Sequence, residues 1–84
     1  MNIIFQKVST AGDSFYIFGN QASSPYFAAY MSSNGTTLGA RASGNNFQTA
    51  TVASAITEKR TLHFENGVFS YDGAAVITDS SSSI

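Results

Sequence analysis

The sequence has no cysteine, and its 84 residues include a single histidine. A disulfide framework is therefore excluded, and a structural zinc site held by Cys and His is not expected. Charged residues are also scarce: they make up 11% of the chain and leave a net charge of −1. Such a composition provides no basic surface for nucleic acid or for an anionic membrane. Solubility must rest on neutral polar residues.

Long apolar segments are lacking as well. No run approaches the roughly 20 apolar residues that a membrane-spanning helix needs, so membrane insertion is not expected. Segment 2–8 is too short an apolar run for a signal peptide and is predicted to be a strand. We expect one domain over residues 1–78, followed by a frayed, Ser-rich tail over residues 79–84.

What the chain does contain is a set of hairpin turns. Asn34-Gly35, Asn66-Gly67 and Asp72-Gly73 each stand between alternating apolar residues, which is the strongest local signal for an antiparallel hairpin. We therefore predict an all-β protein, an antiparallel β-sandwich of about seven to eight short strands. The predicted strands cover residues 2–8, 14–19, 26–32, 36–42, 47–52, 58–65, 68–71 and 74–78.

The last two turns also predict which side chains are buried. A two-residue loop at Asn66-Gly67 places Phe64 opposite Phe69, and one at Asp72-Gly73 places Phe69 opposite Val76. We expect these three apolar side chains to form one buried row across three strands. A one-residue slip at either turn would expose the whole row, so the agreement of the two turns supports this register.

Two segments resemble a known family. The first is residues 15–19 (FYIFG), which precede a Ser/Asn loop, an aromatic strand and Asn34-Gly35. The second is residues 59–73, where a strand with Arg and His leads into an Asn-Gly and an Asp-Gly turn. Over residues 2–78 this succession resembles the concanavalin-A-like, laminin-G-type jelly roll found in phage virion (tail) proteins and bacterial surface proteins. The resemblance implies a minimal jelly-roll sandwich at a virion or extracellular surface.

One departure from this family concerns length. Family domains are nearly twice as long, with several further strands after the position of Asp72-Gly73. Either the chain is a minimal version of the fold, or a partner supplies the missing layer. Strand 14–19 is apolar on both faces, which predicts a central strand covered on both sides. A homo-oligomer, or other virion or surface subunits, would cover this apolar surface and the sheet edges.

Candidate catalytic and metal-binding residues have ordinary structural explanations. Glycoside hydrolysis needs two paired carboxylates, but Glu58 and Glu65 fall on opposite faces if both lie on one strand. His63 and Ser70 are expected to be cross-strand neighbours with no acid beside Ser70. Asp72 suits a type I′ turn, and no Asp-x-Asp cluster is available for calcium. We expect no catalytic residue, no metal, no cofactor and no enzymatic activity.

A glycan-binding site is the alternative to a purely structural role. Around the first of the three turns, alternation puts Tyr26, Tyr30 and Arg41 on the face turned away from the core. Asn45 and Asn46 follow in the next loop. Aromatic rings that stack on a sugar and polar groups that bind its hydroxyls make up such sites. In the competing interpretation the tyrosines pack against a second sheet or a subunit. We expect a non-enzymatic structural or adhesion module that self-assembles, with lectin-like binding of a neutral glycan as the alternative.

Overall fold

The structure is a computed structural model, and it describes residues 1–7, 14–19, 27–44 and 46–82. Two antiparallel sheets of four strands each make up the fold, and the described residues contain no helix. The strands are β1 (Asn2–Phe5), β2 (Phe15–Phe18), β3 (Ala28–Met31), β4 (Thr37–Arg41), β5 (Gln48–Thr51), β6 (Arg60–Glu65), β7 (Val68–Tyr71) and β8 (Ala74–Thr78). The predicted all-β sandwich is confirmed.

The two sheets differ in how the chain builds them. Sheet I has the strand order β1-β6-β7-β8, so the first strand of the chain lies at the edge of a late three-stranded meander. Sheet II is a meander of consecutive strands in the order β2-β3-β4-β5. Each neighbouring pair is antiparallel, as expected for strands joined by hairpins and short connections.

The core lies between the two sheets. Sheet I contributes the buried side chains of Leu62 and Phe69, and sheet II contributes those of Met31 and Leu38, all fully enclosed. Each such side chain stabilises the fold by about 1.5–3 kcal/mol relative to an exposed position. Phe27, which directly precedes β3, reaches across the sandwich and contacts aromatic rings of sheet I. The aromatic contacts therefore tie the two sheets together.

The last two hairpin turns have the predicted type I′ geometry. Asn66 and Asp72 both have a φ of 51°, and the glycines that follow them have φ values of 80° and 87°. Positive φ at both central positions defines this turn and matches the twist of the flanking strands. Phe64 pairs with Phe69 across the first turn, as predicted.

The predicted place of Val76 in the buried row is wrong. The register between β7 and β8 shifts after Phe69, so that Phe69 faces Ile77 while Ser70 faces Ala75. Val76 is the extra residue of this β-bulge, and Ile77, only 4% exposed, takes the buried position. A bulge adds one residue to a strand without altering the turn. A register counted outward from the turn is therefore off by one residue beyond the bulge.

Strand β2 is not the doubly covered central strand that its apolar sequence predicted. It lies at the edge of sheet II, and Tyr16 is 40% exposed. The register with β3 shifts between Tyr16 and Phe18, which makes Ile17 the extra residue of a second bulge. Phe15, Ile17 and Phe18 all pack against the core as a result. The bulge accounts for the continuous apolar run without a second covering layer.

The turn at Asn34-Gly35 differs from the predicted two-residue type I′ turn. Gly35 has a φ of 76°, but Asn34 is not among the positive-φ residues of the described chain. The Gly35 amide donates to the Ser32 carbonyl, which closes the turn one residue earlier. The Asn34 side chain accepts a hydrogen bond from the Ser32 hydroxyl and holds this conformation. Met31 nevertheless pairs with Leu38, the register that counting outward from Asn34-Gly35 gives.

Asp79 follows β8 and joins the two sheets, although its position in the sequence suggested a frayed tail. The side chain is 2% exposed, and its carboxylate accepts hydrogen bonds from the Ala42 amide at 2.8 Å, the Ser43 hydroxyl at 2.8 Å and the Ser81 amide at 3.1 Å. Burial alone would raise the pKa of Asp79, but these bonds favour the charged form more strongly and lower it. The end of β8 is thereby tied to the end of β4.

Candidate functional site

Three aromatic side chains meet on the face of sheet II that is turned away from the core. Tyr16 belongs to β2, Tyr30 to β3, and Phe47 directly precedes β5. Their ring centroids are 6.1 Å apart for Tyr16 and Tyr30, 5.2 Å for Tyr30 and Phe47, and 6.4 Å for Tyr16 and Phe47. Together with Ser14, these residues line an open depression of about 320 Å³, which we call the aromatic recess.

The floor of the aromatic recess is the ring of Tyr30. Strand alternation turns Ala29 and Met31 into the core, where both are fully buried, and therefore turns Tyr30 outward. Its cross-strand partner is Gly39, and a Cβ added there would lie 2.1 Å from Tyr30 Cε2. The ring thus occupies the space that any other residue at position 39 would fill. A glycine in the middle of β4 is explained by this close approach.

The other two rings form inclined walls. The plane of Tyr16 makes an angle of 68° with that of Tyr30, and Phe47 makes an angle of 72° with Tyr30. Tyr16 and Phe47 are themselves inclined by 55°. Edge-to-face packing of this kind stabilises each pair by about 0.5–1.5 kcal/mol beyond the area buried. The recess is therefore not a flat aromatic platform.

Arg41 supports one of these walls from outside the recess. The guanidinium carbon lies 4.5 Å from the centroid of the Phe47 ring, in a cation–π contact. Arg41 does not itself line the recess. It holds Phe47 in place and brings a positive charge to this face of the sheet.

The structure describes three of the five residues predicted for a glycan site. Tyr30 and Arg41 lie on the predicted face of the hairpin, and Asn46 is exposed directly before the phenylalanine of the recess. Tyr26 and Asn45 lie outside the described residues. Tyr30 packs on the outer surface and not between the two sheets, so one form of the competing interpretation does not apply to it. A role of these residues in binding stays a prediction.

Sequence reasoning missed Phe47 and Tyr16. Gly39 pairs with Thr49 in the structure, and continuing that register places Phe47 opposite Arg41. No two-residue turn joins β4 to β5, so the sequence carried no signal from which this register could be counted. Tyr16 was hidden for another reason, because the bulge at Ile17 disguised which face of β2 it occupies.

The outer face of sheet I carries the lone histidine in a polar cluster. His63 Nδ1 lies 2.6 Å from Asn2 Oδ1, and its Nε2 lies 3.2 Å from Glu65 Oε1. Ser70 is the cross-strand neighbour of His63, as predicted. Because both ring nitrogens already have partners, neither is turned to the Ser70 hydroxyl as a general base would be.

Asp72 and Glu58, two further acids among the described residues, both contact Arg60 at the start of β6. Asp72 accepts a hydrogen bond from the Thr61 amide at 3.0 Å and one from Arg60 at 2.8 Å, and both interactions lower its pKa. Arg60 also lies 3.1 Å from the Glu58 carboxylate. Its hydrogen bond with Asp72 raises the pKa of Arg60. Within the part of the chain that the structure describes, no group of three or more His, Cys, Asp or Glu side chains could hold a metal ion.

Comparison with known proteins adds no relatives. No protein-family model matches this chain, and searches of curated proteins and of solved structures found no significant match. Among the residues that the structure describes, no helix is long and apolar enough to cross a membrane. A small all-β sandwich does not by itself identify a laminin-G-type domain. Only the surfaces of the two sheets therefore indicate a function.

Proposed function

We propose that this protein is a non-enzymatic adhesion module that binds a carbohydrate in the aromatic recess. The observation that supports this most strongly is the meeting of Tyr16, Tyr30 and Phe47 on an outer sheet face. Sugar rings present C–H groups that pack on aromatic faces, and their hydroxyls need a few placed polar partners. The two tyrosine hydroxyls and the hydroxyl of Ser14 supply such partners at the recess.

The charge of the recess favours a neutral glycan. Among the residues that the structure describes, its lining consists of two phenols, one phenyl ring and one hydroxyl, without a carboxylate. A single hexose has about a dozen non-hydrogen atoms, and about 0.3 kcal/mol per atom gives a binding free energy near −4 kcal/mol. This corresponds to a Kd of about 1 mM. Useful adhesion at that affinity requires several copies acting together.

A glycan array read with the oligomerised protein tests the proposal. We expect the wild type to bind at least one neutral glycan, and we expect Tyr16→Ala to lose most of that signal. Tyr16 is the best position for the test, because its partial exposure makes a folded variant more attainable. Thr78→Ala is the matched control, since Thr78 is exposed on β8 of the other sheet. A folded Tyr16→Ala protein that binds like wild type would refute the proposal.

A self-assembling structural module is the second candidate function. Strand β1 lies at the edge of sheet I, where the side chain of Ile4 is 70% exposed, and Met1, which precedes the strand, is 47% exposed. An edge strand with exposed apolar side chains favours pairing with another subunit. Sedimentation equilibrium at micromolar concentration tests this candidate. A monomeric wild type would contradict it, whereas a dimer that Ile4→Lys dissociates would support it.

Both candidate functions are typical of proteins that work at a virion or extracellular surface. The laminin-G-type resemblance of residues 2–78 suggests the same location. We propose this location together with the adhesion function. Antibody labelling of intact particles or cells that produce the protein would test it, because an internal protein would be labelled only after disruption.

A further inference from the structure

We infer that the aromatic recess binds the terminal ring of a glycan and not an internal stretch of a polysaccharide. This inference rests on the proposed carbohydrate-binding function. Surfaces that bind along a polysaccharide present ring faces side by side in one plane, so that successive sugars stack in a row. Here the three rings are inclined to one another by 55° to 72°. Their faces therefore do not lie in one plane.

The spacing of the rings leads to the same conclusion. The largest separation between two ring centroids in the recess is 6.4 Å, between Tyr16 and Phe47. One six-membered sugar ring placed on Tyr30 would contact both walls. A stretch of several sugars would extend beyond all three rings. The three rings together are therefore suited to the end of a glycan and not to a long stretch of one.

The size of the aromatic recess sets a similar limit. Its volume of about 320 Å³ lies at the lower end of the range of about 300–1,000 Å³ for small-ligand pockets. A hexopyranose fits within that volume, whereas an extended tetrasaccharide does not. A longer oligosaccharide would leave its remaining sugars in solvent.

The surroundings of the recess close two directions to a chain. Tyr30 lies against the backbone of β4 at Gly39, so nothing can extend through the floor. The guanidinium of Arg41 covers one face of the Phe47 ring, so a second sugar cannot stack on that face. The charge of Arg41 also disfavours a sugar with a protonated amine. The occupant is therefore a terminal hexopyranose without a protonated amine.

Length dependence of binding tests the inference. Isotope-labelled wild-type protein would be titrated by NMR with the methyl glycosides of glucose, galactose, mannose and N-acetylglucosamine. The same titrations would follow with di-, tri- and tetrasaccharides that end in each sugar. We expect the Kd of the preferred sugar to change by less than about threefold with length. A gain of more than about tenfold from mono- to tetrasaccharide would overturn the inference and leave the proposed function standing.

The failure of the proposed function itself has a different signature. If no saccharide of any length shifts the resonances of the recess, both the function and the inference are wrong.

Two variants of Tyr16 test where a bound sugar ring lies. We expect Tyr16→Phe to retain affinity within about threefold, because the wall is kept, and Tyr16→Ala to lose about tenfold or more. Equal binding by a folded Tyr16→Ala protein would overturn the inference, because the sugar would then make no use of the Tyr16 wall of the aromatic recess.

Discussion

Replacement of Gly39 by alanine would test how Tyr30 is seated on sheet II. The added Cβ would lie 2.1 Å from Cε2 and 2.2 Å from Cζ of Tyr30, whereas carbon atoms in contact are about 3.5–4 Å apart. The backbone of β4 cannot yield easily, because Leu38 and Ala40 on either side are fully buried. The Tyr30 ring must therefore swing away from the sheet.

The cost of this movement follows from the contacts of Tyr30. The ring would lose its edge-to-face contacts with Tyr16 and Phe47, each worth about 0.5–1.5 kcal/mol. Gly39 is not among the positive-φ glycines, so alanine suits its backbone and returns about 0.4–1 kcal/mol through the unfolded state. We expect a net loss of about 1–2 kcal/mol. A chain of 84 residues has a total stability of about 4–13 kcal/mol, so the change is measurable.

A double-mutant cycle separates this steric effect from a general effect of the substitution. Urea unfolding would be measured for wild type, Gly39→Ala, Tyr30→Ala and the double variant. Once Tyr30 is removed, the added methyl group has space, so Gly39→Ala should become neutral or slightly stabilising in that background. The expected coupling energy is about 1–3 kcal/mol. An equal cost of Gly39→Ala in both backgrounds would show that the ring of Tyr30 does not lie over Gly39.

Three further substitutions test the core and the link between the sheets. Asp79→Asn should destabilise the protein by about 2–4 kcal/mol at neutral pH, because the buried carboxylate accepts hydrogen bonds from Ala42 and two serines. In urea titrations, this difference in stability should persist above about pH 4, the ordinary pKa of an unfolded Asp, and vanish as the pH falls through the lowered pKa of Asp79. A difference that does not depend on pH would show that the charge of Asp79 does not stabilise the fold. Tyr71→Phe should cost about 0.5–1.5 kcal/mol, since the hydroxyl donates to the Ala53 carbonyl at 2.7 Å. Because burial raises the pKa of Tyr71 to about 12, wild type should lose stability as the pH rises from about 10 through 12. Unfolding followed by circular dichroism should show a smaller loss of stability over this pH range in Tyr71→Phe. Phe69→Ala should cost about 3–5 kcal/mol in thermal melts, because this ring is fully buried between the sheets; an unchanged melting temperature would place it outside the core.

How well strand register and burial could be predicted from the sequence depended on the kind of turn nearby. The type I′ turns at Asn66-Gly67 and Asp72-Gly73 require positive φ at both central residues, so their position and the adjacent pairs followed from local chemistry alone. The burial of Ile77 in place of Val76 did not follow, because a β-bulge is selected by how a strand fits the opposite layer. The same limitation applied to β2, where a bulge and not a second covering sheet explains the apolar run.

The candidate site shows the same division. Tyr30 and Arg41 could be placed on one face by alternation, because both lie close to a single turn. Phe47 and Tyr16 come from strands whose registers no local signal specified, yet they complete the recess. The pairing of β4 with β5, which no turn signal specified, decided that Phe47 contacts Arg41.

The amino-acid sequence by itself determined that this protein is all-β, where two of its hairpins turn, and which aromatic rows face inward near those turns. These features depend on φ preferences and on a two-residue period, both of which act over a few neighbouring residues. The tertiary structure decided the bulges, the burial of Asp79 between the ends of β4 and β8, and the meeting of Tyr16, Tyr30 and Phe47. Those features depend on packing between residues far apart in the chain, which no local pattern records.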